Sequence, residues 1–420
     1  MDSEYFKQMF KRLTIVNKIR RNRMKKTLIM FCMSVLIVGY TVPTMAGVKM
    51  GGIIFTDAWY EFRDKENSPT GDDSANFNVK VPNITRLYGK WSNDSNNVGM
   101  WIELGLRGHG VNRRDVVTRH ACGWWQVNPL LKITAGQTVT GFSPLNPQQL
   151  LGSDSYHLNV IGGGFGDVYS GRVPLVRFTL TPTDMFQLDV SFSDPNLTTV
   201  KFTDEITWGT NDTSLPRIDI SSVIKAGPLT LYPGLMFANK TYKLKSHVDN
   251  DADDSITTYI LSMAAKANAG PVCIKGEINF GQNWGNQDLL AIGLEHFRGD
   301  SNYGAALDIG GNKIEDTEMF AGWIDAGISM GAAEVHTILG VQSYTNDMEP
   351  DTDEDDFQQT VMMFGFSIPV KVAKNFKIRP EVMFYDLGKR ENFTDNGDGT
   401  YDDEERGAFV IAGAQFQITF

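Results

Sequence analysis

Three groupings of side chains in this sequence are of the kind that do chemistry. The first is "ENFTDNGDGTYDDEER" (Glu391–Arg406). Here Asn396, Asp398, Gly399, Thr400, Asp402 and Glu405 follow Thr394 at spacings that suit oxygen ligands around calcium. The first ligand position is Thr, not Asp, and no flanking helices are expected. The residues therefore favour a solvated loop with loose divalent binding over a defined calcium site, and no other cofactor is implied. The second is "GGGFG" (Gly162–Gly166), which has the look of a phosphate loop but lacks the Lys-Ser/Thr ending and a following helix. The third is the set of six histidines, His109, His120, His157, His247, His296 and His336. They fall mostly in loop-like stretches, with no nucleophile elbow and no metal spacing. None of the three makes the chain an enzyme.

A fourth feature is more pervasive. Charged residues recur in the middle of otherwise apolar segments: Arg86, Arg107, Arg177, Arg217 and Arg379, with Asp57, Glu103, Asp189 and Asp325. The elements that hold them are strands, because the apolar residues come at every second position. Val98, Met100, Ile102, Leu104 and Leu106 oppose Glu103 and Arg107. Phe186, Leu188, Val190 and Phe192 oppose Gln187, Asp189 and Ser191. Phe376, Ile378, Val382 and Phe384 oppose Lys377, Arg379 and Glu381.

Sixteen such segments are predicted, at 48–63, 78–92, 98–107, 118–127, 130–139, 172–182, 185–195, 215–226, 228–243, 255–267, 272–284, 318–330, 333–345, 358–371, 375–388 and 407–420. Short Asn-, Gly-, Pro- and Asp-rich turns alternate with long connections. The long ones are 64–77, 108–117, 140–171, 196–214, 244–254, 285–317, 346–357 and 389–406. A soluble sandwich also alternates, but it does not carry so many mid-strand charges or sort its loops into long and short. The pattern predicts an all-β chain: a transmembrane antiparallel barrel, apolar outside and polar inside, closed so that no edge is left unpaired. An even strand count puts both termini on the short-turn side, in the periplasm.

The first 46 residues are of another kind. Lys25 and Lys26 precede an apolar core from Leu28 to Val42, Pro43 breaks it, and Thr44-Met45-Ala46 suits a signal peptidase. The core is about 15 residues, short of the roughly 20 that span a bilayer. Residues 1–46 read as an n-region and cleaved secretory signal, with Met24 a second plausible start. Residues 47–420 are the barrel. Without the signal there are 30 basic and 48 acidic residues, net −18, which disfavours nucleic acid as a partner. Cys122 and Cys273 have neither CxxC spacing nor histidine partners, and a disulfide between them stays open. Tyr60, Phe62 and Trp59, with Tyr88 and Trp91, suit interfacial girdles. Trp124-Trp125 reads the same way, with a sugar-stacking platform as the rarer alternative.

The terminal "GAFVIAGAQFQITF" and "LKITAGQT" (Leu131–Thr138) give the barrel a resemblance to Gram-negative outer-membrane porins of the sixteen-stranded, trimeric type. The resemblance is architectural and covers 47–420. It implies passive diffusion of small hydrophilic solutes and ions through a water-filled pore. It also implies a homotrimer, a setting in outer-membrane lipid and lipopolysaccharide, and assembly by the barrel-assembly machinery, with Phe416, Ile418 and Phe420 as the signal. By the same resemblance 140–171 is the loop that folds inward and constricts the pore. Its charged and titratable residues are Asp154, His157 and Asp167. The loop's apolar residues need cover and its glycines permit sharp turning, which fits. Its weak acidity departs from the family picture. The basic set (Arg86, Arg107, Arg177, Arg217, Arg379) and the acidic set (Asp57, Glu103, Asp189, Asp325) become pore-lining residues. The alternatives are a solute-selective channel, a non-transport surface barrel and an outer-membrane lipid hydrolase.

Overall fold

The computed structural model describes residues 47–66, 68, 71–82, 84–109, 113–149, 151, 168–169, 171–195, 208–212, 215–244, 255–287, 304–308, 313–346, 357–395 and 401–420. The alternating segments form sixteen barrel strands, several of them interrupted. They are β1 Val48–Arg63; β2 Ser74–Lys80 with Arg86–Ser92; β3 Val98–His109; β4 Arg113–Gln126; β5 Leu131–Thr138; and β6 Val173–Thr183. Then come β7 Phe186–Ser193; β8 Trp208–Asp212 with Arg217–Ala226; β9 Leu229–Leu244; β10 Ser255–Ala269; and β11 Val272–Gln282. The last five are β12 Thr317–Met330; β13 Ala333–Asn346; β14 Phe357–Ser367 with Val370–Ala373; β15 Phe376–Asp386 with Lys389–Asp395; and β16 Tyr401–Glu405 with Ala408–Thr419. Each strand pairs antiparallel with its neighbours in sequence, and β16 pairs with β1 from Ile53↔Thr419 to Arg63↔Phe409. The ring is closed, so the edge problem that exposes open sheets to further pairing does not arise. Gly227 and Gly331 take φ near +60° in two of the tight turns, which side chains with a Cβ rarely adopt.

The strands sit where the alternation predicts, with two kinds of difference. β4 begins at Arg113, not 118, and pairs with β3 from His109↔Arg113. Most of the long connection expected at 108–117 is therefore strand. Likewise 389–406 is expected as loop, but Lys389–Asp395 and Tyr401–Glu405 extend the β15–β16 hairpin. The reason is the same in both places. Above the membrane both faces of a strand are wet, so nothing selects for apolar residues at alternate positions.

Outward positions are apolar and exposed, as at Ile278, Ile324, Leu339, Met362 and Phe384. The inner face carries the buried polar residues, Asp57, Glu103, Asp189, Asp325, Arg217 and Arg379 among them. That face is not polar throughout. Met319, Ala321, Ile338, Val361, Met363, Met383, Tyr385, Phe409 and Ile411 point inward from β12 to β16 and are buried.

Three aromatic assignments are corrected. Trp59 is buried inside the barrel with Lys80 over its ring, so it is no girdle residue. Tyr88 lies opposite the inward-facing Glu103, and its hydroxyl fills the space beside Gly51. Trp124 packs inward over Gly99 whereas Trp125 is exposed on the outside. Consecutive strand residues face opposite ways, so these two cannot form one stacking platform. Cys122 and Cys273 are both free thiols, on β4 and β11.

Candidate functional site

The lumen has two unlike walls. One runs over β2 to β6. At its centre Glu103 accepts a hydrogen bond from Arg119 (Nε to Oε1 2.7 Å) and faces Arg86 (Nε to Oε2 3.8 Å). A β-bulge in β4 opposite Glu103 and Leu104 inserts one extra residue. As a result Arg119 and His120, though adjacent, are both buried on the inner side. Arg172, just before β6, donates from Nε to His120 Nε2 at 3.1 Å. A nitrogen that accepts from a guanidinium carries no proton, so His120 is neutral and its Nδ1–H is donated to Thr138 Oγ1 at 2.9 Å. The imidazole stacks on Trp101 with centroids 3.5 Å apart, and Lys90 Nζ lies 3.9 Å from the Trp101 ring centroid. Further round, Arg177 binds Val139 O at 3.1 Å and approaches Asp189 at 3.7 Å, with Lys132 beside it. Asp189 also accepts from Thr179 and Gln187. At this level Arg86, Lys90, Arg119, Lys132, Arg172 and Arg177 outnumber the carboxylates set among them, Glu103 and Asp189.

The other wall runs over β11 to β15 and holds Glu277, Asp325 and Glu381, each 2% exposed or less. Residues 141–149 and Leu151, which follow β5, lie directly on it. Ser143 Oγ donates to Glu277 (2.7 Å), the Gln148 amide to Asp325 (2.7 Å) and the Leu151 amide to Glu381 (2.7 Å). The Gln149 side chain donates to the Tyr385 hydroxyl, and Lys275 Nζ to the Asn146 carbonyl (2.5 Å). The backbone of Val168, on the returning limb, bonds Glu277 as well. Hydrogen bonds to a charged acceptor contribute about 1.5–3 kcal/mol each, so these contacts hold the segment down. Apolar packing adds to them. The Phe142 ring occupies the space that a Cβ on Gly234 of β9 would need, and Leu151 is fully buried.

The carboxylates of this wall are also paired within it. Asp325 contacts His336 Nδ1 (2.7 Å) and Lys275 Nζ (3.4 Å). Glu381 accepts from Ser367 (2.9 Å) and lies 3.9 Å from Arg379. Arg379 donates to Gln415, which donates to Asp57.

The expected pore-lining residues therefore separate. Arg86, Arg177, Glu103 and Asp189 stand together on the basic wall, with Arg107 above them on β3, half-buried. Arg217 is closed off in a buried pair with Asp219 at 2.8 Å on β8, and Arg379 belongs to the opposite wall. Arg119, His120 and Arg172 complete the basic wall without having stood out in the sequence. A bulge and a loop position put them there, and neither leaves an alternating signal. His120 is in mid-strand, although the histidines were expected mostly in loop-like stretches.

Asp154, His157 and Asp167 lie outside the described residues, as do Asn396 and Asp398. Asp402 and Glu405 are on the second strand of the β15–β16 extension. Among the described residues no group of three or more His, Cys, Asp or Glu is placed to hold a metal ion. Phe416 and Ile418 point outward. Phe420 is 61% exposed and its backbone exchanges two hydrogen bonds with Gly52, at 3.0 and 3.1 Å.

No protein-family model matches the chain, and no curated protein sequence matches it. Solved structures do. The outer membrane channel DcaP of Acinetobacter baumannii aligns with a TM-score of 0.62 at 15% identity, over 90% of this chain and 99% of that one. An anion-selective porin from Comamonas acidovorans gives 0.55 at 13% identity, over 89% and 99%. OmpF of Salmonella typhi, solved in complex with daunomycin, gives 0.53 at 8% identity, over 90% and 99%. The protein is thus a sixteen-stranded transmembrane barrel with the fold of the outer-membrane porins.

Proposed function

We propose that the protein is a diffusion channel of the Gram-negative outer membrane for small hydrophilic solutes, with a preference for anions. The observation that carries this reading is the position of residues 141–149 and Leu151. Their amides and hydroxyl rest on Glu277, Asp325 and Glu381, so the segment covers the acidic wall, while on the wall from β2 to β6 the cations outnumber the carboxylates set among them. A solute in the remaining water meets mainly guanidinium and ammonium groups. Fixed charge lining a low-dielectric passage concentrates ions of the opposite sign. In this reading 140–171 as a whole is the constriction loop. The likeness to an anion-selective porin points the same way.

The remaining parts of the reading rest on fold and resemblance: periplasmic termini, a homotrimer, lipopolysaccharide around the rim, and recognition of the last strand by the barrel-assembly machinery. Purified protein in planar bilayers tests the core of it. The expected result is a stable ohmic conductance, with a reversal potential in a salt gradient that has the sign of anion preference. A protein that inserts but never conducts would refute the channel. Cation preference would refute the assignment of the walls.

A further inference from the structure

The chain leaves β11 by turning into the barrel. At Asn283 the backbone takes a left-handed conformation, φ +58°. The Asn283 side chain is fully used: Oδ1 accepts from the Thr317 amide (2.9 Å), and Nδ2 donates to Thr257 O (2.9 Å) and Asp316 Oδ1 (2.5 Å). Its carbonyl accepts from Thr258 Oγ1 at 3.1 Å. One residue thus ties the upper ends of β10, β11 and β12 together and fixes the direction in which the chain continues.

The next residues form a single 3-10 turn, Trp284–Gln287, with all four buried. Trp284 is 1% exposed and belongs to one apolar cluster with Ile260 and Ala321, which face inward from β10 and β12, and with Phe142 of the constriction loop. The returning limb is tied to the same turn. The Ala305 amide donates to Asn286 Oδ1 (2.8 Å), Gly304 passes where the Asn286 side chain leaves no room for a Cβ, and Thr317 Oγ1 bonds Gly304 O (2.6 Å).

We infer that Asn283–Gln287 is a second constriction element, which fills the lumen beside β9 to β12 and confines solutes to the basic wall. The inference rests on the channel reading above. The physical ground is that a water-filled passage has no use for a buried indole at its wall. Trp284 and Phe142 together keep water off the inward apolar residues of β9, β10 and β12, and so occupy cross-section that solutes would otherwise use. A bulky aromatic excludes both water and solute from the area it covers. Because the residues Trp284 packs with are apolar, the turn acts on pore size first and on charge preference only through the share of flow it diverts.

The test is Trp284→Ala and Asn283→Ala beside Trp284→Phe, each first shown to form a heat-resistant barrel on gels. In planar bilayers the two alanine variants should raise single-channel conductance by roughly 1.5-fold or more, since flow scales with open cross-section. In liposome swelling they should admit raffinose faster than the parent, with anion preference reduced but of unchanged sign. Trp284→Phe should stay near the parent. Folded alanine variants with parental conductance and raffinose uptake would overturn the inference while leaving the channel reading intact. A parent that does not conduct would overturn both.

Discussion

The walls over β2–β6 and β11–β15 both carry charged groups and end with opposite roles. On β2–β6 the cations outnumber the carboxylates, and Tyr169 of the returning limb comes beside Arg86 and Arg172. On β11–β15 Glu277, Asp325 and Glu381 are as buried as any core residue, held by Ser143, Gln148, Leu151, Lys275, His336 and Ser367. Charge sign alone does not decide what a solute meets. What decides it is which charges already have partners of opposite sign, because Lys275 beside Asp325 and Arg379 beside Glu381 leave little net charge on that stretch of wall. The buried Arg217–Asp219 couple makes the same point on a small scale.

The largest expected effect comes from attacking the basic wall. Arg86→Gln with Arg172→Gln should cut the anion-to-cation permeability ratio by roughly 3- to 10-fold, read as a shift in reversal potential. Arg119 is kept, because removing it would strand Glu103 as a buried charge at a cost of about 3–5 kcal/mol. Arg217→Gln with Asp219→Asn, which removes the buried pair together, should move the ratio far less, and an equal shift would show that local pairing does not silence a wall charge.

Next comes release of the loop from the other wall. Phe142→Ala removes a buried ring, a loss of about 3–5 kcal/mol at a well-packed site, and Gly234→Val takes the ring's place from the opposite side. Either should raise conductance, by about twofold if the segment swings clear, and weaken anion preference by uncovering Glu277 and Asp325. A rise in conductance with sharper anion preference would contradict the covering role.

A smaller effect needs no mutation. Raising the salt from 0.1 to 1 M shortens the screening length from about 10 to about 3 Å. The anion preference of the parent should weaken, as it depends on exposed charges acting across water, while the loop contacts should hold.

The smallest effect on permeation is expected at the end of the chain. Deleting Phe420 should lower the amount of assembled barrel, measured as heat-resistant protein in outer-membrane fractions. The conductance of each barrel that does form should be unchanged. Phe420 meets Gly52 at the β1–β16 seam and touches neither wall.

Much of the barrel was legible because the membrane writes itself into every second residue. Parity alone places Asp57, Glu61 and Trp59 on one side of β1. The expectation of a girdle at Trp59 let residue type override parity, and parity was the better guide. Tyr88 and the Trp124-Trp125 pair teach the same lesson. The site was legible only in part. Arg86, Arg177, Glu103 and Asp189 follow from alternation. Arg119 and His120 do not, because a bulge breaks the period at the point where both turn inward. The inward turn at Trp284 was also hidden, since 285–317 has the composition of any long surface loop.

By itself the sequence determined the alternating segments, their order, the face that regular alternation assigns and the closing strand at the end of the chain. These depend on local period and on the solvent each face meets, which neighbouring residues encode. Only the tertiary structure decided which charges remain available. Glu277 and Ser143 are 134 residues apart, Glu381 and Leu151 are 230 apart, and nothing in the local pattern of either partner announces the other. Closure of the ring brings them within hydrogen-bond reach, and that contact lays the segment after β5 over the acidic groups of one wall.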